Sequence, residues 1–169
     1  NPYRVTWEIM QTVDRDNTIL LHDSGLARWY LSYIYESTAP RTYLGMGGQS
    51  EMGWSLGAAL GAKLARTDAL VVNVMGDGAF GMTGMDMETA VRLNIPILCI
   101  IINNSSLGIS KVGIRDGKTE MVDLGGDYTK IANGLGAYAE RVEEPKEFVP
   151  ALKRAIASTK DGQAAVLEV

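Results

Sequence analysis

Short apolar runs alternate with stretches of helical period along the whole chain. That alternation predicts an α/β domain: a doubly wound parallel sheet of about six strands with helices on both faces. An amphipathic helix opens it, from Asn1-Pro2 through Val13. Residues 18–21 read as a short strand, followed by a helix near 26–36 and a second short strand at 41–44. The stretch 52–66, rich in alanine and glycine, reads as a tightly packed helix. Residues 69–75 and 97–102 are apolar enough to be strands buried on two faces, with a helix at 85–93 between them. Helices at 127–135 and 145–158 flank a weaker strand at 137–142, and 164–169 completes the sheet. Hairpin turn signals are absent, which favours parallel order.

Composition narrows the class. The 169 residues, 46% hydrophobic and 21% charged, suit one soluble domain with its own core. No linker, low-complexity segment or repeat divides them, so 1–169 reads as one domain. The single cysteine, Cys99, cannot pair internally, which excludes a disulfide scaffold; placed mid-strand, it reads as buried filler. A net charge of −4 and a pI near 5.0 disfavour a nucleic-acid partner. The longest apolar run, 95–102, is too short for a membrane span and Pro96 interrupts it. No secretory signal opens the chain, and both ends read as cut from something longer. We therefore expect a cytoplasmic fragment of a larger chain.

Nineteen glycines, several of them clustered, are the unusual entry in the composition. Three polar or glycine-rich loops leave strand ends: His22-Asp23-Ser24-Gly25, Gly76-Asp77-Gly78-Ala79 and Asn103-Asn104-Ser105-Ser106. A fourth cluster, Gly45-Met46-Gly47-Gly48, precedes the packed helix. In parallel sheets ligands bind beyond the carboxyl ends of the strands, so these loops form one site hypothesis.

Gly76 to Gly81 formally matches the dinucleotide pattern G-x-G-x-x-G, but two details oppose that reading. Asp77 would set a carboxylate against the pyrophosphate, and the ribose-binding acid expected about 20 residues later is missing. An aspartate between glycines makes better sense as a ligand of a hard cation such as Mg²⁺, which takes oxygen donors and bridges to phosphates. A second, neutral oxygen ligand is available from Asn103 or Asn104 at the end of the next strand. The plainer alternative is that Asp77 caps the following helix and the asparagines form a turn.

Taken together, Gly76-Asp77-Gly78 and Asn103-Asn104, with 27 positions from Asp77 to Asn104, resemble the diphosphate-binding domain of thiamine-diphosphate-dependent enzymes. The likeness extends from Leu60-Gly61 through Val72 and Val74, with Thr67 where the family carries a proline. It covers nearly the whole chain. It is closest to the acetolactate synthase-like branch, on Gln49 to Trp54 and Pro145 to Leu152. The resemblance implies Mg²⁺ bound by Asp77, the Asn104 side chain and the Ser106 backbone oxygen. It places Gly25, Leu26, Gly78 and Ala79 along the diphosphate of thiamine diphosphate. Met52, 25 residues before Asp77, falls where that branch sets a hydrophobic wedge that bends the cofactor, a task suited to a bulky, polarisable side chain. The Ser50 oxygen and the Met52 N–H would hold the aminopyrimidine edge.

The same resemblance implies a missing part. The family's activating glutamate comes from a pyrimidine-binding domain of the same or a neighbouring subunit, and no segment here is similar to that domain. Glu36, Glu51 and Glu88 read as surface or helix residues, so no catalytic residue is assigned in this chain. The expected assembly is a homodimer or homotetramer that decarboxylates or ligates 2-oxo acids. Alternatives are a lyase of 2-hydroxyacyl thioesters, or a non-catalytic cofactor-binding or regulatory module. Gly113 stands where acetolactate synthases proper carry a tryptophan, within a glycine-rich charged stretch at 107–125 that covers the substrate in the family. His22, the lone histidine, reads as structural rather than catalytic. Trp7, Trp29 and Trp54 read as packing anchors.

Overall fold

The computed structural model describes residues 1–48, 51–108, 120 and 122–169. Six strands form one sheet in the order β2-β1-β3-β4-β6-β5, every pair parallel. They are β1 (Thr18–His22), β2 (Tyr43–Leu44), β3 (Leu70–Gly76), β4 (Leu98–Ile102), β5 (Tyr138–Arg141) and β6 (Ala165–Glu168). One register row runs Tyr43, Leu20, Val72, Leu98, Ala165, Tyr138 across the whole sheet.

The helices divide between the two faces as the alternation of strand side chains requires. Leu20, Val72, Val74, Leu98, Ile100 and Leu167 point to a cluster that includes Ile9, Ala27, Leu31, Phe148 and Leu152. That face carries α1 (Pro2–Thr12), α2 (Leu26–Ile34) and α7 (Phe148–Lys160). Ile19, Leu21, Val71, Met75, Cys99 and Ile101 point the other way, against Leu56, Phe80, Met87 and Ala132. There lie α3 (Trp54–Ala65), α4 (Asp77–Thr83), α5 (Met87–Arg92) and α6 (Tyr128–Gly134). Cys99 is fully buried, and burial pushes its thiol up to about 12, so it fills space as the sequence suggested.

Local chemistry sets the element ends. Asn1 caps α1, its side-chain oxygen accepting the Tyr3 N–H at 3.1 Å, with Pro2 in the first turn. Asp127 caps α6 in the same way through the Lys130 N–H. Two expectations need correction. The turn after β3 is not a loop: α4 begins at Asp77, despite two glycines, and a 3₁₀ turn at Gly84–Asp86 links it to α5. Trp7 and Trp29 are not packing anchors, since each lies about half exposed (53% and 51%). Trp54 is half-buried.

The strand order creates the site. From β1 the chain crosses through α2 to β2 on one side; from β3 it crosses through α4 and α5 to β4 on the other. Adjacent strands β1 and β3 therefore send their helices to opposite faces. That is the switch point at which open α/β sheets leave a crevice.

Candidate cofactor site

A cavity of about 400 Å³ opens at this switch point. Its lining includes Gly25, Leu26, Met52, Asp77, Gly78, Ala79, Asn104 and Ser106, so eight of the nine residues singled out from the sequence meet in one place. The ninth, Ser50, lies outside the described residues, as does Gly113.

Register delivers the two halves of the motif. Gly76 of β3 pairs with Ile102 of β4, so the residues that follow emerge side by side at the same edge. Asp77 is 3% exposed, yet among the described residues no cationic side chain pairs with its carboxylate. The Ser106 N–H lies 3.2 Å from Asp77 Oδ2 and also 3.2 Å from Asn104 Oδ1. One donor shared by two oxygens means those oxygens converge on the same point. Gly76 occupies the cap position of α4 without a side-chain bond, and Asp77 stands one residue later, as the acid of the first turn. Burial raises the Asp77 carboxyl above its ordinary range, and backbone N–H groups of Gly78, Ser106, Asp77 itself and Ser105 pull it partly back.

The two asparagines also separate. Asn103 donates to Glu168 Oε1 at 2.7 Å and accepts the Ser105 N–H at 2.8 Å, which holds Ser105 at φ +52°. Its side chain is spent on the fold, leaving Asn104 to face the cavity. The turn expected of the asparagines thus falls on Asn103, while Asn104 lines the cavity with its amide oxygen toward the Ser106 N–H. Beyond them Ser106 bridges to Asp123, its hydroxyl donating to the Val122 carbonyl, so the segment returning near 122–124 braces this edge.

Two lining glycines differ in what they do: backbone conformation demands the first, and the second keeps a crowded spot open. Gly25 adopts φ +68° and ψ −137°, a region closed to other residues, and starts α2. At Gly78 a Cβ would lie 2.8 Å from Leu107 Cδ2, 3.0 Å from the Met52 methyl and 3.1 Å from Leu124 Cδ1. Met52 therefore hangs directly over Gly78, and at 36% exposure it is no core residue.

A family model described as the thiamine pyrophosphate enzyme C-terminal TPP-binding domain matches residues 23–169. The chain belongs to that family. A probable acetolactate synthase large subunit from Methanococcus aeolicus is 34% identical over 164 residues, covering 92% of this chain and 27% of that protein. The acetolactate synthase large subunit of Mycobacterium tuberculosis is 36% identical over 162 residues, 94% of this chain and 29% of its own. Acetolactate synthase from Bacillus subtilis is 33% identical over 159 residues, 91% and 27% respectively. The chain thus spans little more than a quarter of the length of these relatives.

Thiamine diphosphate fits the residues present in this thiamine pyrophosphate enzyme domain. A buried carboxylate with no ion pair among the described residues, a convergent amide oxygen and a glycine-lined floor suit a hard metal ion bridging to phosphate oxygens. No cluster of three or more His, Cys, Asp or Glu side chains occurs among the described residues, and the oxygens nearest Asp77 across the shared Ser106 N–H include the neutral amide of Asn104.

Sequence reasoning missed two residues. Arg28, in the first turns of α2, lines the cavity and makes no ion pair among the described residues. Asp23 is completely buried and organises the loops on the β1 side. Its loop stood out for polarity, but its partners lie 30 residues further on, where no local pattern points back to it. His22 is 5% exposed, with Nδ1 3.0 Å from the Asp23 carbonyl, an acceptor that requires the proton on Nδ1. A Cβ on Gly45 would lie 2.2 Å from its Nε2, so the ring packs beneath the glycine cluster. Burial lowers its pKa and keeps it neutral, in the structural role expected of it. Glu36, Glu51 and Glu88 lie outside the cavity lining; Glu36 and Glu88 pair with Arg15 and Arg92.

Proposed function

We propose that this chain supplies the diphosphate-binding half of a composite active site, in an enzyme that decarboxylates or ligates 2-oxo acids in the manner of acetolactate synthases. The observation that carries the reading is the Ser106 N–H shared between Asp77 and Asn104, which sets two hard oxygens together at the mouth of a 400 Å³ cavity. Asp77, Asn104 and the Ser106 carbonyl hold Mg²⁺. Gly25, Leu26, Gly78 and Ala79 line the diphosphate through backbone groups, and Arg28 adds positive charge on the α2 side. When bound, thiamine diphosphate supplies an electron sink next to the substrate carbonyl.

The chain's own residues bind and orient. Met52, above Gly78, presses the bound cofactor from the α3 side, and Leu107 and Leu124 close around the same glycine and help exclude water. The activating glutamate belongs to a pyrimidine-binding domain of the same or a neighbouring subunit, in a cytoplasmic homodimer or homotetramer. Met82 of α4 and Met85 of the 3₁₀ turn after it, 61% and 65% exposed, support a covered surface on that side of the domain.

The test is a substrate panel on the complete protein: small 2-oxo acids, alone and in acceptor pairs, against 2-hydroxyacyl thioesters. CO₂ release with a ligated product from 2-oxo acids is the expected result. Cleavage of thioesters alone would transfer the assignment to a carbon–carbon lyase, and turnover of neither would leave a binding module.

A further inference from the structure

Asp23 is 0% exposed, and a buried carboxylate without a cation is costly unless donors are organised around it. Four donors meet it. They are the N–H groups of Ser24 at 2.8 Å, Gly53 at 3.0 and 3.1 Å to the two oxygens, and Ser55 at 3.1 Å, with the Ser55 hydroxyl at 2.6 Å. No ion pair reaches it among the described residues.

These donors come from both segments that line the cavity on the β1 side. Ser24 leads into Gly25, beside the diphosphate position. Gly53 directly follows Met52. Gly53 is held from its other end too: its carbonyl accepts the Thr83 hydroxyl at 3.2 Å. At φ +91° a Cβ there would lie 2.5 Å from Thr83 Cγ2, so only glycine fits. The Asp23 N–H, meanwhile, is fixed to the Val74 carbonyl at 2.8 Å, which ties the turn to β3. A helix cap would need only the bonds to α3; Asp23 also fastens its own turn.

We propose that Asp23 is a positioning residue for the cofactor. Its carboxylate locks the turn carrying Gly25 to the turn carrying Met52, so that the diphosphate end and the wedge form one preorganised surface. The inference rests on the cofactor placement proposed above.

Calorimetry on the complete protein separates this from a purely structural role, using two probes with Mg²⁺: thiamine diphosphate, which reaches both ends of the site, and inorganic pyrophosphate, which reaches one. Asp23→Asn should weaken thiamine diphosphate about tenfold and pyrophosphate no more than about twofold. Met52→Ala should weaken the cofactor in the wild-type background and change little in the Asp23→Asn background, a non-additivity expected of coupled residues. Ser55→Ala removes one donor and should show the same pattern at smaller amplitude, should Asp23→Asn fail to fold. Equal weakening of both probes, additive effects, or unchanged affinity in the folded variant would overturn the proposal. Wild-type protein that binds neither probe sinks the cofactor placement itself, and the inference with it.

Discussion

Asp23 and Asp77 lie just past the ends of neighbouring strands, and both are buried carboxylates with no ion pair among the described residues. Their surroundings differ in a way that separates scaffold from site. Asp23 has four donors around its two oxygens and takes no part in lining the cavity. Asp77 lines it, shares its Ser106 donor with Asn104, and is held above the ordinary carboxylate range by burial. A third buried carboxylate, Glu168 at 2% exposure, shows how the fold treats an acid with no ligand to meet: Arg141 and Asn103 bond it directly. The lesson is that burial alone does not mark a functional acid. An acid left short of a positive partner at a cavity wall does.

Two substitutions sharpen the contrast, and they should move stability in opposite directions. The larger effect belongs to Asp23→Ala, which leaves four buried donors without an acceptor. Denaturant unfolding should show a loss of about 3 kcal/mol, and a loss indistinguishable from zero would make Asp23 a bystander. The smaller effect is a gain. Burial raises the Asp77 pKa in the folded state above its usual 3.8. Between those two values the folded protein holds more proton than the unfolded chain, so stability falls as pH rises through that window. Above it, the cation-free carboxylate opposes folding. Asp77→Asn should therefore raise the thermal midpoint of cofactor-free protein at pH 7 by a few degrees. The advantage should shrink as pH falls through the same window. A variant less stable than wild type at pH 7 would place Asp77 with Asp23 as scaffold.

Much of this was legible in the sequence because it depends on runs and short spacings. Strands β3 and β4 are continuous apolar runs, and the Gly-Asp-Gly and Asn-Asn pairs stand directly after them. Parallel register then had to bring both to one edge. The residues themselves left the choice between Asn103 and Asn104 open, and only the resemblance pointed to Asn104. The choice depends on Glu168, 65 residues away, engaging the first of the two. Helix α4 hid behind its glycines, whose low helical propensity is overridden by Phe80 packing into the core, with Tyr128 against it. Asp23 escaped notice for the same reason as Asn103: its bonds close over 30 and 32 residues. Trp7 and Trp29 misled because an aromatic at helical spacing fits either face of a helix until its neighbours are known.

The central claim is that Asp77 and Asn104 hold the cation through which this domain grips the cofactor. Titrating thiamine diphosphate into the complete, metal-stripped protein, with and without Mg²⁺, tests it most directly. Wild-type binding should depend on the cation, and Asp77→Ala should weaken it by about 100-fold or more while the protein remains folded. Cation-dependent binding of normal strength by folded Asp77→Ala would contradict the account.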